Sequence, residues 1–387
     1  MKFKRILLIV LDGVGCGELP DAEDYGDVGA HTLAHVAQVA GGLQLPTLQR
    51  LGLGNITPIA GVEQVTRPAA CWGKMRECSV GKDSTTGHWE IAGGVQTRPY
   101  ATYPEGFPPE IIAIFRRLSG KEPLGNVVIS GTDALEVYGE QHLASGRPIV
   151  YTSVDSVFQI AAHEDVLPPE QLYELCRAMR RELDAYRVGR VIARPFVGTA
   201  AHNFKRTSRR RDFSLQPPEN VLDKLAAVGL PVVAIGKIND IFCGRGISEH
   251  LPTKNNGDGM DKIATALQTI DSGLIFANLI DYDMLYGHRR DAQGFAAALV
   301  NFDQRLGALL AQLLPTDLML ITADHGCDPT TPGTDHSREY VPLVAFSPRL
   351  AHGQELGVRN CFCDISATIS ENFGVDICSG TSFLSNV

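Results

Sequence analysis

The run Arg5-Ile-Leu-Leu-Ile-Val-Leu11, closed at once by Asp12, constrains the fold more than any other segment. It is continuously apolar, rich in β-branched residues and without polar alternation, so both of its faces need cover. A strand inside a parallel sheet has that pattern. The pattern recurs late in the chain, at residues 231–235, 274–280, 318–322 and 342–346. Helical segments lie between most of these runs. Residues 261–270 place Ile263, Ala264, Leu267 and Ile270 on one helical face, and residues 291–314 read as a long amphipathic helix ended near Pro315. Strand and helix in alternation predict an α/β core with a largely parallel sheet flanked by helices. The first strand finds parallel partners only in the late set, so the sheet is expected to draw on both ends of the chain. The core then spans residues 1–100 and 216–387, and residues 101–215 form an inserted α+β cap. Within the cap, 109–118 and 168–186 read as helices opening on proline, and 148–151 and 188–193 as strands.

Composition narrows the function classes. The chain has 387 residues, 44% hydrophobic and 20% charged, with a formal net charge of -9. That balance disfavours a nucleic-acid or membrane-surface binder. The apolar run after Lys2, Lys4 and Arg5 is too short for a signal peptide, and no segment approaches a membrane span. Nine scattered cysteines form no paired CxxC motif; Cys361 and Cys363 lie too close together for a usual zinc pair. They read as reduced thiols of a cytoplasmic protein.

Three of the apolar runs end in acid: Asp12, Asp283 (with Asp281) and Asp324. Ligands of parallel α/β sheets bind at the carboxyl ends of strands. Any one such aspartate taken alone reads as well as a helix N-cap. Three together repel unless a cation sits among them, and His288, His325 and His336 lie beside them. Imidazole with carboxylate suits manganese, zinc or iron. Six protein donors would saturate one ion, so two divalent ions at about three donors each are expected, the usual clamp for phosphoryl transfer. Three carboxylates and one alkoxide would then balance two dications. Gly81-Lys-Asp-Ser-Thr-Thr-Gly-His-Trp-Glu90 is the source expected for the alkoxide. It is hydroxyl-rich and expected to open a helix, where free N–H groups favour phosphate. Ser84, Thr85 and Thr86 also read as helix caps.

These residues and several further segments together resemble the phosphopentomutases of the alkaline phosphatase superfamily. The segments include Leu11-Asp-Gly-Val-Gly-Cys-Gly-Glu18, Gly81 to Glu90, Tyr151-Thr-Ser-Val-Asp-Ser156, Tyr286-Gly-His-Arg-Arg-Asp291, Thr322-Ala-Asp-His-Gly326 and Gly333-Thr-Asp-His-Ser-Arg-Glu-Tyr340. The resemblance runs nearly end to end. The dimetal motif marks only the superfamily; the stretch around Ser84 and the cap segments are more specific.

The resemblance implies an alkaline-phosphatase-like core in which Asp12, Asp324 and His325 hold one manganese ion. Asp283, His288 and His336 hold the other. The nucleophile position falls on Ser84, where the family carries threonine; the departure is chemically mild, and Thr85 is the neighbouring alternative. The implied reaction interconverts ribose 1-phosphate and ribose 5-phosphate, and the 2-deoxy sugars. A sugar bisphosphate (ribose 1,5-bisphosphate or glucose 1,6-bisphosphate) primes the phosphoenzyme. The cap is expected to exclude water and hold the distal phosphate. Arg206 and Arg210, in the basic stretch of residues 204–213, match family positions best, and arginine clasps phosphate bidentately. Asp155, Arg194 and Lys237 match sugar- or phosphate-contacting positions; for Asp155 the alternative is a helix cap before residues 157–162. Asp281 and Asp335 are expected to orient the histidines. His88 and Trp89 are expected to pack beneath the nucleophile loop, with a direct catalytic role as the lesser alternative, and Cys327 is not needed as a ligand. The competing readings are a dimetal phosphatase, a phosphoglycerate-type mutase of the same superfamily, and a metal-stabilised binding protein without turnover.

Overall fold

The computed structural model describes residues 1–153 and 156–387. The chain divides into two compact units, residues 1–97 with 217–387, and residues 98–216. In chain order the strands begin with β1 (Arg5–Leu11), β2 (Cys71–Met75), β3 (Leu124–Val128), β4 (Ile149–Thr152) and β5 (Val157–His163). They continue with β6 (Arg190–Val197), β7 (Lys205–Arg206), β8 (Arg211–Ser214), β9 (Val232–Ile235) and β10 (Glu249–Leu251). The last are β11 (Gly273–Leu279), β12 (Asp317–Thr322), β13 (Val341–Phe346) and β14 (Glu355–Arg359).

The first unit is built on a sheet in the order β10-β9-β11-β1-β12-β13-β2-β14. From β10 to β12 every pairing is parallel, and β13 turns antiparallel to both β12 and β2. β1 sits between β11 and β12, with Arg5 opposite both Gly273 and Asp317. Every residue of β1, β11 and β12 is buried, which is why these strands read as unbroken apolar runs. Helices Asn256–Thr269 and Ala292–Leu310 connect the late strands. The α/β class expected from the alternation of elements is therefore the observed one. The three acid-ended strands are immediate neighbours, so their carboxyl ends lie side by side.

The second unit has its own sheet, β3-β4-β5-β6-β7, with β8 on the other part of β6. Its core gathers Phe107, Ile111, Phe115, Phe158, Leu172 and Met179 under helices Pro109–Ser119 and Pro169–Leu183. Residues 157–163 form β5, paired with both β4 and β6, and not the helix weighed for the segment after Asp155. Their Val, Phe and Ile content outweighs any capping signal. Asp155 itself lies outside the described residues. Both ends of the unit meet at one turn: Ala101 N–H donates to Arg187 O (3.2 Å) and Leu215 N–H to Gly189 O (2.9 Å). Among the described residues there is no disulfide, and no helix is long and apolar enough to cross a membrane.

Candidate active site

Asp12 directly follows β1, Asp324 follows β12 by two residues, and Asp283 follows β11 by four. The last lies in a π-helical turn, Tyr282–Gly287, which leads to His288. Such turns recur at functional sites because they re-aim side chains within a helix-like path. Gly13, with φ +80°, turns the chain sharply after Asp12, and its N–H donates to Asp324 Oδ1 at 3.1 Å.

The three carboxylates are at most 3% exposed. Imidazole nitrogens surround them. His325 Nε2 lies 3.3 Å from Asp12 Oδ1 and 3.3 Å from Asp324 Oδ2. His288 Nε2 and His336 Nε2 lie 3.2 and 3.3 Å from Asp283 Oδ1. The His325 and His336 rings are 3.9 Å apart between centroids. Two of the imidazoles are oriented from behind by backbone: His288 Nδ1 meets Thr334 O at 2.6 Å, and His325 Nδ1 meets Gly326 O at 2.9 Å. A carbonyl only accepts, so each Nδ1 carries the proton and each Nε2 presents a lone pair to the carboxylates. Asp281 and Asp335, expected in that orienting role, do other work. Asp281 accepts from Asn256 N–H, and Asp335 accepts from His336 N–H and pairs with Lys82 at 3.6 Å.

Asp283 Oδ1, Asp324 Oδ2 and His336 Nε2 are buried and have no hydrogen bond of acceptable geometry. Lone pairs face lone pairs across the cluster, an arrangement that costs energy unless a cation bridges it. Burial works to raise the Asp324 carboxyl, yet His325 and His88 hold it well below the usual carboxylate range. Burial likewise opposes ionisation of Asp283, and His288 and His336 override it. Burial favours a neutral His325 ring, but Asp324 and Asp12 push its pKa well above the ordinary value, so without a metal ion a proton on Nε2 takes the bridging place of the cation. The donors fall into three overlapping sets, Asp12 with Asp324 and His325, Asp283 with His325 and His336, and Asp283 with His288 and Cys327, so the Cys327 thiol, not expected as a ligand, lies beside Asp283. The residues fit a pair of divalent ions.

Ser84 is brought to this cluster by the helix Ser84–Ile91. None of the three hydroxyl residues caps that helix. The cap is Asp83, whose Oδ1 accepts from Thr86 N–H (3.1 Å) and whose Oδ2 accepts from the Thr86 hydroxyl (2.6 Å). Ser84 Oγ lies 3.1 Å from His325 Nε2 and 3.4 Å from Asp12 Oδ1. The helix approaches closely at Gly87, where a Cβ would collide with the backbone carbonyl of Asp324. Lys237, two residues past β9, places Nζ 3.7 Å from Asp12 Oδ2.

Two neighbours of the cluster escaped the sequence reading as functional residues. Asn278 Nδ2 donates to Asp12 Oδ2 and to His88 Nε2, each at 3.1 Å. His88 is fully buried, with Nδ1 2.8 Å from Ser84 O and 3.1 Å from Asp324 Oδ2. It links the Ser84 backbone to a candidate ligand, so its contacts go beyond packing. The signal for Asn278 was its place as the only polar residue in the run 274–280. Trp89 packs as expected, buried and donating from Nε1 to Ile241 O (2.9 Å).

The arginines belong to the second unit. Arg194 on β6, Arg206 on β7 and Arg210 all act on the Tyr151 phenol: burial pushes it up, and their charges pull against that. Arg194 Nε donates to Gln159 Oε1 (3.0 Å). Arg210 is clasped by Asp212 through two hydrogen bonds of 2.7 and 2.6 Å.

A family model described as the metalloenzyme superfamily matches residues 4–377. A phosphopentomutase of Syntrophotalea carbinolica is 59% identical over 384 residues, covering 99% of this chain and 98% of its own. One from Caldanaerobacter subterraneus is 53% identical, covering 98% and 97%. Among solved structures, the PH0037 protein of Pyrococcus horikoshii shares the fold, with a TM-score of 0.51, 15% identity, and coverage of 97% and 98%. With relatives of this identity matching almost end to end, the chain belongs to the phosphopentomutases, within the metalloenzyme superfamily.

Proposed function

We propose that this chain interconverts α-D-ribose 1-phosphate and D-ribose 5-phosphate, and the 2-deoxy counterparts, through a phosphorylated Ser84 at a two-manganese site. The reading rests above all on one observation: Ser84 Oγ stands at a helix N-terminus, 3.1 Å from His325 Nε2 and 3.4 Å from Asp12 Oδ1. Relatives carrying the name of this activity add to it.

Asp12, Asp324 and His325 hold one ion, and Asp283, His288 and His336 the other. When bound, the ions polarise the phosphoryl oxygens and lower the cost of an alkoxide at Ser84. The chain's own groups do the rest. The free N–H groups of the helix at Ser84 receive phosphoryl oxygens. Lys237 adds positive charge beside Asp12. In the first half-reaction the Ser84 Oγ–P bond breaks as the free hydroxyl of the sugar phosphate bonds to phosphorus. The hydroxyl's proton ends on Ser84 Oγ. The resulting bisphosphate turns over and returns its other phosphoryl group to Ser84 by the reverse chemistry, so a sugar bisphosphate primes the cycle. Arg194, Arg206 and Arg210 recognise the second phosphate and Asp155 a sugar hydroxyl. Arg210 must exchange its Asp212 partner, or share it, to do so. Nine scattered cysteines without a paired motif accord with a cytoplasmic setting for this chemistry.

The test is a product assay. Manganese-loaded protein is incubated with ribose 1-phosphate and a trace of glucose 1,6-bisphosphate, and ribose 5-phosphate and inorganic phosphate are quantified together. Ribose 5-phosphate without free phosphate is expected; free phosphate as the main product makes the protein a phosphatase. Ser84→Ala should lower turnover by at least about 10³-fold and abolish covalent labelling, whereas Thr85→Ala should keep the label.

A further inference from the structure

The helix that carries Ser84 ends at a second cluster of metal-ligating groups, separate from the carboxylate–histidine site. Six residues beyond Ser84, about 9 Å along the axis, Glu90 is fully buried. Its carboxylate gathers two loops. Oε1 accepts from Cys78 N–H (2.9 Å) and Phe362 N–H (3.0 Å), and Oε2 from Ser79 N–H (2.6 Å). The Cys361 thiol lies against the same carboxylate, Sγ to Oε1 3.3 Å. Cys78 Sγ, Cys361 Sγ and a Glu90 oxygen are all within 4.8 Å of one another.

We propose that Cys78, Cys361 and Glu90 form a binding site for a thiophilic divalent cation of the zinc class, distinct from the site that holds Ser84. Three observations carry this. The first is donor type: two thiols and a carboxylate suit zinc and discriminate against manganese and magnesium. The second is spacing. Tetrahedral zinc, with bonds of about 2.3 Å to sulfur and about 2.0 Å to oxygen, holds its donors roughly 3.5–3.8 Å apart. The cluster therefore closes by side-chain rotation of about 1 Å. The third is the surroundings of the sulfurs. Cys363 N–H points at Cys361 Sγ at 3.3 Å, a donor that stabilises a thiolate. Cys78 is exposed, so ions have a way in and solvent can fill a fourth position.

The same surroundings disfavour a simple disulfide switch. Burial, Cys361 and Glu90 push the Cys78 thiol up to about 12, and Cys361 is raised further still. Thiols held protonated are slow to oxidise, whereas a cation displaces both protons to solvent and neutralises the crowded negative charge. A filled site would pin the far end of the Ser84 helix to the 76–79 and 360–363 loops.

Cobalt(II) is the probe, added to the full-length, fully reduced protein. The carboxylate–histidine ligands contain no sulfur, so a near-ultraviolet thiolate-to-cobalt band reports on cysteine alone. We expect the band to appear in the wild type, to be lost in Cys78→Ser and Cys361→Ser, and to persist in Cys327→Ser, which controls for the thiol beside Asp283. Cys78 is exposed, so its replacement keeps the test valid should Cys361→Ser fail to fold. A reduced wild-type protein without the band, or a band undiminished in Cys78→Ser, overturns the proposal. Neither outcome bears on the product assay.

Discussion

Asn278 illustrates how much of the site rests on residues that bind nothing themselves. Its amide donates both to Asp12 and to the His88 nitrogen behind the nucleophile, so it fixes a carboxylate and an imidazole together. Asn278→Leu keeps the branched shape but leaves two buried acceptors unsatisfied. We expect metal affinity at the carboxylate–histidine site to fall by about 10–100-fold, measured by competition with a chelator, while the fold persists. Unchanged affinity would reduce Asn278 to a packing residue. At this scale the sequence was informative where a charge interrupts or closes a buried run, as at Asp12 and Asp324. It was silent on what orients the histidines. The partners are the carbonyls of Thr334 and Gly326, and a backbone carbonyl has no signature in a residue string. Asp281 and Asp335 were reasonable substitutes in sequence and wrong in space.

At the scale of elements, the loop after β12 is held by contact with the Ser84 helix on one side and by charge to the helix Thr32–Val39 on the other. Gly87 is the contact. Gly87→Ala should drive the helix off Asp324 and cut activity by more than tenfold with little loss of melting temperature; an active variant would show that the helix can move. Charge acts through Asp328. Its carboxylate is buried and accepts from His31 N–H (3.0 Å), Thr330 N–H (2.9 Å) and the Thr330 hydroxyl (2.7 Å), with His35 at 2.6 Å. Burial alone would raise this carboxyl, but these donors hold it below its ordinary value. A carboxyl depressed on folding stabilises above its unfolded pKa of about 3.9, and that stability drains as pH falls through the folded pKa. Asp328→Asn should therefore cost about 1–3 kcal/mol in urea unfolding at pH 7, and the difference should vanish in strong acid. A constant difference at all pH values would mean that packing and not charge is lost. Elements were legible in sequence where periodicity was long, as in the helix Ala292–Leu310. The helix weighed as an alternative over residues 157–162 falls away because a short apolar run suits helix and strand alike, and pairing with β4 and β6 decides for the strand.

On the scale of the whole molecule, residues 98–216 have the makings of an independent folding unit. They own a sheet and a core, and their two ends are tied to the same turn at Arg187 and Gly189. Expressed alone, the segment should unfold in one cooperative transition with dispersed amide resonances. A collapsed state without such dispersion would show that the core unit is needed to fold it. The two-ended sheet of the core was foreseeable because β1 has no parallel partner nearby in sequence.

The place of β1 between β11 and β12 also sets a timetable. β1 leaves the ribosome long before its neighbours, which begin at Gly273 and Asp317. At roughly 5–20 residues per second, the strand waits about 15–60 s with both edges open and every side chain after Arg5 apolar. During that interval it is an adhesive stretch of the nascent chain. A cell making this protein must therefore shelter this strand until Asp317 and the residues that follow it have been synthesised.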